Sequence, residues 1–238
     1  MAAAPRSRPS LEGTAGTRPT RLVYDHVSFD LDGTLIDSRH DLASAVNHVL
    51  AVFGLPGIRP KTLYGYVGDG ARALVERALG PERRDRLEEG VGLFMTYYGE
   101  HLLDATRPYP GMVEALDGLG ARAVALSVLT NKPVALSRAI LEGLGLASRF
   151  VDIVGGDSLP VRKPDPTGLD YLRQRTGTPR ERMLLVGDSG IDVQTGRAGG
   201  VTTCGVAWGL APEALRAAEP DILVAHPSEL LTIVDGRG

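Results

Sequence analysis

Six short apolar runs, at residues 22–31, 123–129, 150–154, 183–186, 201–206 and 221–224, alternate with segments of helical periodicity, and most of them end in Gly, Asp, Thr or Asn. Runs of this length without polar alternation read as strands buried on both faces. The intervening helical patterns cover 112–119, 133–144, 166–175, 191–198, 212–217 and 227–234. Strict β/α alternation predicts an α/β fold: a Rossmann-like core with a mainly parallel sheet and helices on both faces. Pro133, Pro166, Pro212 and Pro227 stand at or near the first position of four of these helices, where a missing N–H costs nothing. Gly143, Gly145, Gly199 and Gly200 supply stop signals.

One stretch interrupts the alternation. From about 38 to 107 the pattern is helical, with no convincing strand. Leu42, Ala45, Val46, Val49, Leu50 and Phe53 follow helical spacing, as do Leu74, Val75, Ala78 and Leu79, and then Leu87, Val91, Phe94, Tyr98 and Leu102. Three or four helices therefore form a small bundle inserted after the first core strand. Ser38 followed by Asp41 resembles a capping box at its start. The expected organisation is a disordered tail over 1–20, a core from 21–37 and 108–238, and a helical insertion over 38–107.

With 238 residues, 43% of them hydrophobic, the chain can bury a core. A net charge of -3 gathers neither nucleic acid nor an anionic membrane surface, so any phosphate site must be built locally. The single cysteine, Cys204, excludes an intramolecular disulfide and lies in an apolar run, as a buried strand residue does. No run reaches the roughly 20 apolar residues of a membrane-spanning helix. The expectation is a soluble, cytoplasmic protein, monomer or homodimer, with no nucleic-acid or membrane partner. The first 20 residues hold three prolines and one acid and lack a signal-type apolar core; a transit-peptide role is open beside the disordered tail.

Chemistry-bearing residues gather where the strands end. The first run leads into Phe29-Asp30-Leu31-Asp32-Gly33-Thr34-Leu35. Alternation along a strand end places Asp30 and Asp32 on one side, and Gly33 lets the backbone turn so that N–H groups face an anion. That is the edge at which open α/β sheets bind ligands. Taken alone, the pair is equally a solvated strand-terminal turn. After the second core strand, Thr130-Asn131-Lys132 offers a hydroxyl and helix-start N–H groups to a phosphate, or simply a helix cap. Lys163 follows the third strand in a loop fixed by Pro164 and Pro166, which favours an ammonium reaching into a site over a surface lysine. The fourth strand delivers Gly187-Asp188-Ser189-Gly190-Ile191-Asp192. Asp188 and Asp192, four apart, share the first helical turn's face, although Asp192 alone could just complement the helix dipole. Carboxylates from two neighbouring strands make a hard oxygen site suited to Mg²⁺.

In this order the Asp-x-Asp-Gly-Thr-Leu, Thr-Asn-Lys, Arg-Lys-Pro and Gly-Asp-Ser-x-x-Asp segments resemble the four motifs of the haloacid dehalogenase superfamily. The resemblance spans essentially the whole chain after the tail, including the helical insertion that the superfamily uses as a mobile cap. Residues 66–79 are similar to the cap of phosphoglycolate phosphatases.

The resemblance implies a Mg²⁺-dependent phosphatase on a small phosphate monoester, with 2-phosphoglycolate as the preferred substrate. Asp30 would attack phosphorus to give an aspartyl-phosphate, and Asp32 would protonate the leaving alkoxide and then activate water. Gly33, Thr130, Asn131 and Lys163 would bind the phosphoryl group. The metal would sit among Asp30, Asp188 and Asp32, the last through its backbone oxygen, with Asp192 as a weaker ligand or, with Ser189, orienting Asp188 and the metal's waters. Tyr66, Asp69 and Arg72 are the selectivity candidates in the cap. Asp32 argues against dehalogenation, which needs no leaving-group acid. A hexose-phosphate mutase and a pyrophosphatase share the core and stay as alternatives, and a non-catalytic phosphate binder would lack an acidic motif that is present here.

Overall fold

The computed structural model describes residues 23–236; the tail expected over 1–20 lies outside the described residues. In chain order the strands are β1 (His26–Phe29), β2 (Ile36–Asp37), β3 (Arg107–Pro108), β4 (Ala125–Leu129), β5 (Asp152–Val154), β6 (Met183–Gly187), β7 (Thr202–Val206) and β8 (Ile222–Val224). All six expected core strands are present. They form one parallel sheet in the order β5-β4-β1-β6-β7-β8. Successive residues face opposite sides: Val27, Phe29, Leu126, Val128, Leu184 and Val186 pack into one apolar layer, and Leu129, Met183 and Leu185 into the other. Cys204 lies in β7 among the first set, where burial pushes its thiol up to about 12, as fits a packing residue rather than a nucleophile.

The helices are α1 (Arg39–Val52), α2 (Pro60–Tyr64), α3 (Ala71–Leu79), α4 (Leu87–Glu100), α5 (Met112–Gly120), α6 (Val134–Gly143), α7 (Thr167–Thr176), α8 (Gly190–Gly199), α9 (Pro212–Ala217) and α10 (Glu229–Val234). Of the four prolines, only Pro212 is a first helical residue. Pro133 and Pro166 occupy the preceding cap position, and Pro227 stands before the cap residue Ser228. Gly145 and Gly200 take positive φ just past α6 and α8, whereas Gly143 and Gly199 close those helices. Among the described residues no helix is long and apolar enough to cross a membrane.

Helices α1 to α4 bury their own apolar cluster, in which Leu42, Val46, Val49, Leu50, Leu74, Val75, Phe94 and Tyr98 meet. Each such side chain contributes roughly 1.5–3 kcal/mol when fully buried, enough to give this insert a core of its own. Two features of its neck differ from the sequence reading. First, β2 and β3 pair antiparallel, Ile36 with Pro108 and Asp37 with Arg107, at the points where the chain leaves the sheet and returns. Two-residue strands carry too little pattern to be seen in the sequence. Second, Ser38 caps no helix N–H with its side chain. The expected capping box is absent because both members have partners outside the helix: Ser38 donates to Asp32, and Asp41 accepts from the Ala105 and Thr106 N–H groups and the Thr106 hydroxyl.

Order 5-4-1-6 reverses direction between β1 and β6, so their following loops diverge and leave a crevice at the carboxyl edge. The loops after β1, β4, β5 and β6 surround it.

Candidate active site

Asp30 follows β1 directly, its N–H donating to the Val186 carbonyl of β6. β1 stops at Phe29, so Asp32 is placed by a turn rather than by strand alternation. The N–H groups of Thr34, Leu35 and Ile36 all converge on the Leu31 carbonyl. Gly33 takes φ +88° in that turn, and its N–H donates to the Ile36 carbonyl rather than facing an anion. Its missing side chain matters more. A Cβ there would lie 2.1 Å from Asp188 Oδ2, and one on Gly209 would lie 2.2 Å from Asp188 Cβ. Gly187 leaves room in the same way for Asp192, 2.2 Å from its carboxyl carbon. Three glycines thus make space for two buried carboxylates.

Asp30, Asp188 and Asp192 are all buried and each brings one carboxylate oxygen within 4.8 Å of the others. Lys163, 5% exposed, is their counter-ion, with Nζ 2.7 Å from Asp30 Oδ1 and 2.6 Å from Asp192 Oδ1. The loop lysine therefore reaches the site, and burial alone would favour its neutral form, but the two aspartates outweigh that and raise its pKa. Asp192 spends its second oxygen on the N–H and hydroxyl of Ser189, in the capping box that starts α8. Asp188 accepts the Leu210 N–H at 2.8 Å and, among the described residues, has no cation in hydrogen-bond contact. Burial first, then repulsion from Asp30 and Asp192, pushes its carboxyl well above the ordinary range. Asp30 rises to about 6, chiefly through burial, against the pull of Lys163. Three carboxylates sharing one ammonium are short of positive charge, and hard oxygens in this number suit a divalent cation.

Asp32 is turned to different partners. Both of its oxygens lie 2.9 Å from Lys132 Nζ, and Ser38 Oγ donates to Oδ1 at 2.5 Å. Its carboxylate is not in the acidic group, so only its backbone oxygen is left for a metal role. Lys132 also meets Tyr98 Oη at 2.7 Å. In the sequence Lys132, Tyr98 and Ser38 stand only as part of a strand-end motif, an inward helical residue and a cap candidate, not as site residues. A buried lysine at a strand end was the available signal for the first, whereas Tyr98 looked like any inward residue of α4.

A pocket of about 40 Å³ lies between sheet edge and insert. Asp30, Asp32, Thr130 and Lys132 line its polar floor, and Val67, Gly68, Gly70, Ala71, Leu74 and Phe94 line the opposite wall. Asp30 is thus shared between the pocket and the acidic group. Asn131 also lines the pocket, and its side-chain amide donates to the Gly68 and Lys163 carbonyls, tying insert to loop. The Gly68–Gly70 loop borders the pocket, but Tyr66, Asp69 and Arg72 do not line it. Asp69 pairs with Arg77 and Arg72 with Glu88 on the surface of the insert, while Tyr66 packs on its core.

A profile of haloacid dehalogenase-like hydrolases matches residues 27–206. The phosphoglycolate phosphatase of Chromobacterium violaceum is 39% identical over 213 residues, covering 87% of this chain and 95% of that protein. The phosphoglycolate phosphatase of Aquifex aeolicus is 37% identical over 211 residues, covering 89% and 97%. Among solved structures, a predicted phosphoglycolate phosphatase from Haemophilus somnus superposes with a TM-score of 0.84 at 32% identity, covering 88% of this chain and 97% of its own.

Proposed function

The chain belongs to the haloacid dehalogenase-like hydrolase family, and from that premise we propose that it is a Mg²⁺-dependent phosphatase hydrolysing a small phosphate monoester, 2-phosphoglycolate before others. The observation that carries this reading is the double placement of Asp30, which borders the pocket and belongs to the buried acidic group. A nucleophile on phosphorus needs such a position, with substrate on one side and countercharge on the other.

Asp30, Asp188 and Asp192 would hold the cation, with the backbone oxygen of Asp32 beside them. Once bound, Mg²⁺ supplies charge neutralisation to the phosphoryl oxygens and favours the ionised form of Asp30. The Asp30 carboxylate forms a bond to phosphorus as the ester P–O bond breaks, and the departing oxygen keeps the electron pair and takes a proton from Asp32. Asp32 then accepts a proton from water as the water oxygen attacks phosphorus, releasing phosphate and restoring Asp30. Lys163 orients Asp30, and the Thr130 hydroxyl offers a donor to the phosphoryl group. The insert acts as a cap whose apolar wall excludes water. The names of the relatives support 2-phosphoglycolate.

Turnover of a panel of phosphate esters, with and without Mg²⁺, tests this. 2-Phosphoglycolate hydrolysed fastest, only with Mg²⁺ and not by Asp30→Asn, is the expected outcome; undiminished hydrolysis by Asp30→Asn sinks the covalent route.

A further inference from the structure

Lys132 has no part in the scheme above, yet it is placed where the scheme needs control. It ends the turn after β4, is 5% exposed, and makes three polar contacts: 2.9 Å to each oxygen of Asp32 and 2.7 Å to Tyr98 Oη. An ammonium has three donors, and here each has an acceptor. Burying it costs several kcal/mol unless it is paired. Burial alone would drive it toward the neutral form, but Asp32 and Tyr98 outweigh that and keep it charged.

The two contacts come from different parts of the molecule. Asp32 belongs to the turn after β1, whereas Tyr98 belongs to α4 of the insert, is 1% exposed and packs on Phe94 at 5.4 Å between ring centroids. Lys132 Nζ also lies 4.5 Å from the Tyr98 ring centre. Ser38, at the foot of α1, adds the remaining bond to Asp32. The carboxylate is thereby held on the pocket floor and apart from Asp30, Asp188 and Asp192.

We infer that Lys132 and Tyr98 are positioning residues: they aim the Asp32 carboxylate at the leaving-group oxygen, and the aim is complete only while α4 of the insert lies against the core. The inference rests on the proposed role of Asp32 as proton donor. Its physical content is that a buried ammonium fixes a carboxyl group in direction, and that Tyr98 makes this fix depend on the insert.

The experiment exploits leaving-group chemistry. A proton donor matters most when an alkoxide departs and least when a stable phenolate does. Purified wild type, Lys132→Met, Lys132→Arg, Tyr98→Phe and Asp32→Asn are compared with Mg²⁺ on two alkyl esters, 2-phosphoglycolate and glycerol 2-phosphate, and on p-nitrophenyl phosphate. The expected result is a fall of roughly tenfold or more in the alkyl-to-aryl ratio of kcat/KM for Lys132→Met and Tyr98→Phe, in the direction set by Asp32→Asn. Lys132→Arg, which keeps the charge, recovers part of that ratio. A merely structural role would lower both ester classes by one factor. An unchanged ratio in Tyr98→Phe, a variant that removes a single oxygen, overturns the inference even if Lys132→Met fails to fold. If Asp32→Asn itself leaves the ratio unchanged, the proton-donor reading fails and the inference falls with it; if only Asp32→Asn lowers the ratio, the inference alone is lost.

Discussion

Gly33 stands where it does because Asp188 fills the space its side chain would need, with Oδ2 2.1 Å from the position of a Cβ. Gly209 bounds the same carboxylate from the other side.

Gly209→Ala is the cleaner test of that confinement, since only Gly33 combines the clash with a positive φ. The added methyl overlaps Asp188 itself, so the expected cost is about 1–3 kcal/mol of stability together with a displaced carboxylate. Calorimetric titration with Mg²⁺ should show affinity at least roughly tenfold weaker, which corresponds to about 1.4 kcal/mol.

Asp188→Asn removes a buried charge that, among the described residues, has no ammonium of its own. In chelator the variant should melt above wild type, because burial and two neighbouring carboxylates penalise the ionised Asp188. Added Mg²⁺ should then raise the melting temperature of wild type and not of the variant, as expected when only one form binds the ion.

Lys163→Met takes the opposite partner away. Asp30 and Asp192 are left facing each other without countercharge, a change worth roughly 3–5 kcal/mol for a broken buried pair. Urea unfolding in chelator measures the loss, and Mg²⁺ should restore part of it by replacing the missing positive charge.

His26 gives a pH dependence remote from the crevice. It is fully buried, its ring bonded to the Ser127 and Thr176 hydroxyls, and burial lowers its pKa from 6.5 to about 4. The unfolded chain takes up the proton first, so this group removes stability as pH falls from 6.5 toward 4. The contribution is about 3 kcal/mol over that window. Denaturant midpoints of wild type and His26→Gln across pH 7 to 4 should diverge in slope, the variant being flatter.

The parallel strands were legible because each carries an uninterrupted apolar run closed by a polar turn; Asp30 and Asp188 were legible because they sit at those closures, and Lys163 and Asp192 because they lie in the loop and the first helical turn that follow. Residues whose role depends on distant partners were not. Ser38 and Asp41 have the local spacing of a capping box, yet Asp32 and Thr106 compete for their side chains and win. Lys132 and Tyr98 are 34 positions apart, and nothing in the helical periodicity of α4 singles out one inward residue as the hydroxyl that accepts from Lys132. Asp69 and Arg72 were charged residues in the right loop, but each has a closer partner on the insert's own surface. Gly209 carries no motif at all, and its need for smallness appears only when Asp188 is seen beside it.

The paired β2 and β3 bring the two chain crossings of the insert side by side, and Asp41 fastens the outgoing helix to Thr106 on the return. A segment joined at one place is modular: residues between these crossings can be exchanged for another sequence without rerouting the sheet or its four aspartates. The graft would inherit a few obligations from its host: a hydroxyl at position 38 for Asp32, the Asp41–Thr106 fastening and a hydroxyl delivered to Lys132. Swapping inserts between relatives is therefore a route to new substrates in which most of the sequence is free and these few contacts are not.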